Sequence, residues 1–216
     1  MEVIHGKDTE DIDARILEER LTGYAGVLLD IGTGDGRYVR SVARMCPSWF
    51  VIGLDACREN LRASSRVGAL NALYVIANAL AMPPELHDRA DHITINFPWG
   101  SLLWGLVDAE SSLLQGLRAV SRPGALLEVR LNAGALIEAS WPFEQGGTAV
   151  RRALLEAGFN VGRMEPLDAQ ALRACPTTWA KRLAFGRDAR ALYMQASAPK
   201  MQCQRNRPLH YLSTSE

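Results

Sequence analysis

Cysteine is scarce in this sequence, and what there is does not pair. Cys46, Cys57, Cys175 and Cys203 stand far apart with no C-x-x-C among them, which excludes the ligand spacing of a structural zinc and the pattern of a disulfide framework. The four histidines, His5, His87, His92 and His210, fall in separate segments, so no metal site is expected. Long apolar runs are missing too. The first twenty residues, MEVIHGKDTEDIDARILEER, are polar and acidic, so neither a signal peptide nor a membrane span is expected. A reducing cytoplasm is the expected compartment. With 216 residues, 48% hydrophobic and 22% charged, the chain can bury a full core as one domain, with insertions.

Net charge is also absent, which by itself argues against a nucleic-acid partner. Its distribution argues otherwise. Residues 1–149 carry 13 basic and 19 acidic side chains, and residues 150–207 carry 11 basic and 4 acidic. Lysine is nearly missing: 21 of the 24 basic residues are arginine, the side chain suited to bidentate phosphate contact. A cationic C-terminal third can steer the protein toward a polyanion. A generally arginine-rich composition would account for the same numbers.

Two phosphate-binding loops are lacking as well, the dinucleotide pattern G-x-G-x-x-G and the P-loop ending G-K-[ST]. The sequence has instead D-x-G-x-G-x-G from Asp30 to Gly36, after the apolar run Val27-Leu28-Leu29 and before a helical pattern. A second apolar run, Phe50 to Leu54, ends in Asp55. Strand, glycine loop, helix, strand and acid is the layout of a site for a nucleoside-type cofactor, the acid holding a ribose. With Asp30 and Asp35 the loop is acidic, which repels a pyrophosphate and suits a sulfonium or an amino group. The stretch resembles motif I of the class I S-adenosylmethionine (SAM) methyltransferases. That resemblance implies SAM as the cofactor, Gly32 and Gly34 close against it, Asp30 near its methionine end and Asp55 on the ribose hydroxyls.

The remaining chain alternates strand and helix patterns. A short strand or hairpin ending near Gly6-Lys7 is expected, then a helix over 8–21 capped by Asp8 or Thr9. Strands are expected at 27–31, 50–54, 73–77, 92–97, 125–131, 159–164 and 191–196. Helices are expected at 36–45, 58–67, 101–120 (broken near Asp108) and 149–157. The stretch 132–148 reads as an irregular insertion, and 167–189 as a second one with helices of its own. Residues 1–198 then form one α/β domain, a doubly wound, seven-stranded, mostly parallel sheet with insertions after strands five and six. Residues 199–216 read as a polar tail. Arg58, Arg62 and Arg66 recur every four residues and form one stripe, with only Glu59 to neutralise it.

Beyond the fourth core strand the sequence runs Asn96-Phe97-Pro98-Trp99-Gly100-Ser101-Leu102-Leu103, and a second tryptophan motif follows at Thr177-Thr178-Trp179-Ala180-Lys181-Arg182-Leu183-Ala184-Phe185-Gly186-Arg187. In this order, from about Val27 to Ala196, the chain resembles the aminoglycoside-resistance 16S rRNA adenine-N1 methyltransferases of the kanamycin–apramycin type. The resemblance implies methyl transfer to N1 of the decoding-site adenine of 16S rRNA in the 30S subunit. Trp99 and Trp179 would close on the flipped base from both faces, a stacking that offsets part of the cost of unstacking it. Adenine N1 has a free lone pair, so positioning rather than a general base supplies the catalysis, and two aromatic faces tolerate the cationic product.

The resemblance also implies that Ala79 and Leu80 lie by the cofactor's adenine, and that Asn96, Phe97, Pro98, Gly100, Ser101 and Thr177 line the pocket. Arg187, Arg190 and the Arg58–Arg62–Arg66 stripe would grip rRNA phosphate. No membrane partner is implied, and a monomer is expected. Leu80 stands where a relative can carry an acid, which puts one adenine hydrogen bond in doubt. Two other readings remain: a SAM methyltransferase of another RNA, such as tRNA guanine-N7, and a SAM-fold protein that binds RNA without transfer. The first lacks its Asp-Pro-Trp extension after Phe97-Pro98, and the intact Asp30, Gly32, Gly34 and Asp55 set weighs against the second. Trp49, Trp104 and Trp141 are expected in the core or on the surface.

Overall fold

The computed structural model describes residues 1–185 and 188–200. In chain order its elements are β1 (Glu2–His5), β2 (Asp8–Asp11), α1 (Ala14–Leu21), β3 (Gly26–Ile31), α2 (Arg37–Met45), β4 (Trp49–Asp55), α3 (Arg58–Arg66) and β5 (Ala72–Ile76). After two single 3-10 turns come β6 (Ala90–Asn96), α4 (Gly100–Val107), α5 (Ser111–Val120), β7 (Ser121–Asn132), α6 (Ala133–Glu138) and α7 (Phe143–Glu156). The chain continues through β8 (Asn160–Leu167), α8 (Ala169–Ala174), α9 (Thr178–Ala184) and β9 (Ala191–Ser197).

One sheet holds all these strands, in the order β2-β1-β5-β4-β3-β6-β7-β9-β8. The chain winds outward from β3 through β4 to β5, returns to β6, and winds outward again. The seven strands expected from the sequence are the contiguous block from β5 to β8. The expectation is corrected on two points. The sheet has nine strands, and it is mixed: β9 is antiparallel to β7 and β8, and β1 is antiparallel to β2 and β5. The extra pair is the N-terminal hairpin, turning at Gly6-Lys7 with Ile4 opposite Thr9. Its outer strand, Asp8–Asp11, is exposed along its whole length, and its acids discourage another edge from pairing with it. That polar run resembles a helix start in sequence. The helix begins later, where the Asp13 carboxylate accepts from the Ile16 amide at 2.8 Å.

Alternation along the strands sorts two faces. Val27, Leu29 and Ile31 of β3 join Ile93 and Ile95 of β6 and Leu127, Val129 and Leu131 of β7 in the main core, beneath α1, α4, α5 and α7. The other face of β3–β5 packs Leu28, Val51 and Tyr74 against Val39, Val42 and Ala43 of α2 and Leu61 of α3. Asp30, Thr94, Asn96, Glu128, Arg130 and Tyr193 sit at the alternate positions of β3, β6, β7 and β9. They put a polar row on the second face.

The stretch expected to be an irregular insertion, 132–148, is helical. Asn132 caps α6 by accepting from the Ala135 amide at 2.7 Å, and α7 begins at Phe143 instead of Ala149. Gly146 and Gly147 lie inside α7, where they serve close packing. A Cβ on Gly146 would lie 2.6 Å from Leu136 Cδ2, and one on Gly147 would lie 2.4 Å from Met164 Sδ. The later insertion does carry helices, α8 and α9, seated on Phe97 through Leu172 and Ala180. The long helix over 101–120 is indeed broken: Ala109, with φ +56°, separates α4 from α5. Among the described residues no helix is long and apolar enough to cross a membrane.

Candidate functional site

The glycine loop between β3 and α2 is strapped to the end of β4. The amides of Gly32 and Thr33 donate to the Leu54 carbonyl at 2.8 and 3.0 Å, and the Gly34 amide donates to Asp55 Oδ2 at 2.7 Å. The other oxygen of Asp55 accepts from the Cys57 amide at 2.8 Å. Two backbone donors thus hold this carboxylate at the lip of the sheet, and each oxygen keeps acceptor capacity for a diol. Gly34 and Gly36 have φ +56° and +69°, a region that disfavours side chains. A Cβ on Gly34 would meet nothing within 4 Å, so the loop there borders open space.

That space is a cleft of about 470 Å³ at the C-terminal edge of β3, β4 and β6, the edge where doubly wound sheets bind ligands. Its floor includes Asp30, 1% exposed, whose Oδ1 accepts from Thr94 Oγ1 at 2.6 Å and Asn96 Nδ2 at 2.9 Å. Burial pushes the Asp30 carboxyl up to about 6, against the pull of the donors around it and of the Arg130 charge. Beside it, burial and the Asp30 charge push the Tyr38 phenol up. Asn96 in turn accepts from Arg130 Nη1 at 2.9 Å, and Arg130 Nη2 donates to Glu128 Oε2 at 3.2 Å. Burial alone would raise Glu128. The contacts from His92 and Tyr193 and the Arg130 charge outweigh it and hold that carboxyl at about 2.

At the rim stand the two tryptophans, each 38% exposed. Their rings stack on one another, with centroids 5.2 Å apart and planes 10° from parallel. This differs from the expected open sandwich: a base between them needs two contacts of about 3.5 Å each, so the rings must part to admit one. Arg182 of α9 lies with its guanidinium carbon 5.3 Å from the Trp179 ring centroid. Phe97, 2% exposed and at φ +53°, turns the chain from β6 toward Trp99. Thr177 caps α9 by accepting from the Ala180 amide at 2.9 Å, and Thr178 Oγ1 donates to Asp35 Oδ2 at 2.6 Å.

Most of the residues picked from sequence meet here. Asp30, Gly32, Gly34, Asp55, Ala79, Asn96, Phe97, Pro98, Trp99, Ser101, Thr177 and Trp179 all line the cleft. Leu80 and Gly100 do not. Leu80 turns into the core beside Gly105 of α4, and Gly100 opens α4 at φ +56°. The arginine stripe is less free than expected, because Arg58 Nη2 donates to the Lys7 carbonyl at 3.3 Å. Arg62 and Arg66 are exposed, and Arg62 stands 3.9 Å from Glu59. Arg190 is held by Asp188 at 2.7 Å and lies over the Phe143 ring. Arg187 lies outside the described residues.

Residues not picked from sequence also line the cleft, among them Thr33, Tyr38, Asn60, Asn78, Thr178 and Arg182. Asn78 follows the third core strand as Asp55 follows the second, and that position was a usable signal. Arg182 stands one turn beyond Trp179 in the same motif. Tyr38 and Asn60 lie on helices and carried no signal. Among the described residues no group of three or more His, Cys, Asp or Glu is placed to hold a metal ion.

A glycine loop and two strand-end acids around a non-phosphate cleft, on a sheet that winds outward from β3 and ends in an antiparallel β9, define the class I methyltransferase fold. Comparison with known proteins narrows this. The family model described as "NpmA: 16S rRNA (adenine(1408)-N(1))-methyltransferase" matches residues 2–198, and the chain belongs to that family. The 16S rRNA (adenine(1408)-N(1))-methyltransferase of Escherichia coli is 30% identical over 205 residues, covering 87% of this chain and 94% of its own. The crystal structure of the 16S rRNA methyltransferase KamB superposes with a TM-score of 0.83 at 29% identity, covering 92% of this chain and 100% of that one. A mutant of the 16S rRNA (adenine(1408)-N(1))-methyltransferase of Catenulisporales acidiphilia, solved with its cosubstrate SAM, gives a TM-score of 0.81 at 27% identity. That match covers 94% of this chain and 98% of the other.

Proposed function

We propose that this chain transfers a methyl group from SAM to N1 of adenine 1408 of 16S rRNA, giving resistance to kanamycin- and apramycin-type aminoglycosides. The observation that carries the reading is the Trp99–Trp179 pair on the rim of a cleft floored by the glycine loop, Asp30 and Asp55. The cleft fits the cosubstrate. It is acidic where a cation must sit, has room of the right order, and has an open lip at Gly34. SAM, when bound, supplies an electrophilic methyl group to the adenine N1 lone pair and leaves as S-adenosylhomocysteine.

In this reading Asp30 faces the ammonium group, Asp55 takes the ribose hydroxyls, and Ala79 with Asn78 lies against the adenine ring. The tryptophans give up their mutual stack for one stack each on the flipped base, worth roughly 1–3 kcal/mol per contact. No side chain needs to remove a proton, because N1 carries none. Arg62, Arg66, Arg182, Arg187 and Arg190 position the rRNA backbone. The enzyme acts in the cytoplasm on the 30S subunit, as a monomer whose single domain spans 1–198, with α8 and α9 as its substrate-facing arm. The added methyl and positive charge then obstruct the drug at the adenine's Watson–Crick edge.

Incubation with methyl-tritiated SAM and, separately, 30S subunits, naked 16S rRNA and bulk tRNA tests the proposal. Label on 30S subunits supports it. Label on tRNA alone would favour the guanine-N7 reading, and SAM binding without label anywhere would favour an RNA-binding relative.

A further inference from the structure

Arg130 lies in neither tryptophan motif nor the glycine loop, yet a row of hydrogen bonds connects it to the cleft floor. The row crosses four strands and steps two residues along β6: the pairings set Asp30 opposite Thr94, and, one same-face position further on, Asn96 opposite Arg130 and Arg130 opposite Tyr193. Asn96 is the rung between the two charges, donating from Nδ2 to Asp30 and accepting at Oδ1 from Arg130. A guanidinium can only donate, so it fixes which way the Asn96 amide faces. The NH₂ group must point at Asp30. Thr94 and Asn96 both land on Asp30 Oδ1, and Oδ2 is engaged by neither. Arg130 is itself fixed by Glu128 and by the Tyr193 ring, 5.2 Å from its guanidinium carbon. Tyr193 also donates to Glu128.

We propose that Arg130 is a positioning residue for the cosubstrate, acting through Asn96 to keep the buried Asp30 carboxylate ionised and turned toward the ligand's ammonium group. This rests on the reading of the cleft as a SAM site. The charged and titratable groups facing Asp30 are Tyr38 from α2, Tyr74 from β5, Glu128 and Arg130 from β7, and Cys175 before α9, with His92 beyond Glu128. Arg130 is the only cation of permanent charge in that set. Without it, the Asn96 amide can flip and present its oxygen to a carboxylate, and Glu128 loses its counter-ion. Both changes favour the protonated form of Asp30, so affinity for a cationic ligand should start to fall at a higher pH.

Calorimetric titration of SAM between pH 5.5 and 8 into the wild type, Arg130→Met and Arg130→Lys tests this, alongside the carbon-13 titration of the Asp30 carboxyl in the ligand-free proteins. Wild-type affinity is expected to fall as pH drops through about 6. In Arg130→Met the fall should begin about one pH unit higher, with SAM bound roughly threefold more weakly midway between the two midpoints and approaching tenfold more weakly below both. Arg130→Lys keeps the cation without the fork, so its midpoint should stay near the wild-type value while its affinity drops. If Arg130→Met does not fold, Arg130→Lys carries the test. A wild-type affinity and midpoint in every folded variant would overturn the proposal while SAM binding stands. Failure of the wild type to bind SAM would remove the reading of the cleft, and the carboxyl titration, which needs no ligand, would still report whether Arg130 governs Asp30.

Discussion

The Thr178 hydroxyl donates to the Asp35 carboxylate at 2.6 Å, tying the first turn of α9 to the glycine loop across 143 positions of chain. Trp179 is the next residue, so the bond joins the proposed cofactor loop to the proposed base platform. Thr178→Val keeps the shape and removes the donor. A half-exposed bond to a charged acceptor is worth about 1 kcal/mol. Thr178→Val should therefore weaken SAM binding and methyl transfer roughly fivefold and speed amide hydrogen exchange in α9, and Thr178→Ser should restore both. Unchanged exchange in α9 would show that the bond does not hold the helix.

The two tryptophans are only partly covered, so removing them should spare the fold. Trp99→Ala and Trp179→Ala are each expected to lower methyl transfer by about 10- to 100-fold, the equivalent of one lost base stack. SAM affinity should stay within a factor of three, and thermal stability should be nearly unchanged. Calorimetry and single-turnover transfer on the same preparations separate these effects. Loss of SAM binding in either variant would place the ring in the cofactor site instead.

Gly34 and Gly36 share a backbone conformation and differ in surroundings. An alanine Cβ at Gly36 would lie 2.6 Å from Tyr74 Cε1 and 2.8 Å from Ser64 Cβ, whereas at Gly34 it meets nothing within 4 Å. Gly36→Ala should cost about 3 kcal/mol of stability, conformational strain added to overpacking. Gly34→Ala should cost about 1 kcal/mol and act chiefly on SAM binding. Denaturant unfolding and calorimetry on both variants check the contrast, which equal stability losses would contradict.

Asp30 and Glu128 should respond to acid with opposite signs. Asp30 binds its proton more tightly folded than unfolded, about 6 against 3.8. Its ionisation therefore costs stability above pH 6, about 3 kcal/mol, and that cost vanishes below pH 4. Asp30→Asn should be more stable than wild type at pH 7 and should lose SAM binding. Glu128 is held at about 2 against 4.5, so its contribution is present above pH 4.5 and is lost as pH falls toward 2. Glu128→Gln leaves Arg130 without its carboxylate and should cost about 3 kcal/mol at pH 7. Urea unfolding from pH 3 to 8 measures both, and a less stable Asp30→Asn at neutral pH would contradict the first.

The glycine loop, both strand-end acids and the tryptophan motifs were legible because each is a short contiguous run whose chemistry needs few neighbours. The polar edge strand 8–11 was not. Its stabilisation comes from pairing with β1, and its exposed acids look like the opening of a helix. The helical character of 132–148 was hidden for a related reason, since the Leu136 and Met164 side chains that pack on Gly146 and Gly147 lie in other elements. The cross-strand row from Asp30 to Arg130 and the Thr178–Asp35 bond join residues far apart in sequence. Only the strand order brings them together. Position alone sets Leu80 beside the cofactor, yet its side chain follows its apolar character into the core.

Reverse transcription across 16S rRNA, extracted from 30S subunits incubated with this protein and SAM, tests the central claim most directly. Methylation at N1 blocks base pairing, so the claim predicts a new stop at adenine 1408 that requires SAM and is lost in Trp99→Ala and Trp179→Ala. Full-length cDNA from subunits treated with a preparation that binds SAM normally would contradict it.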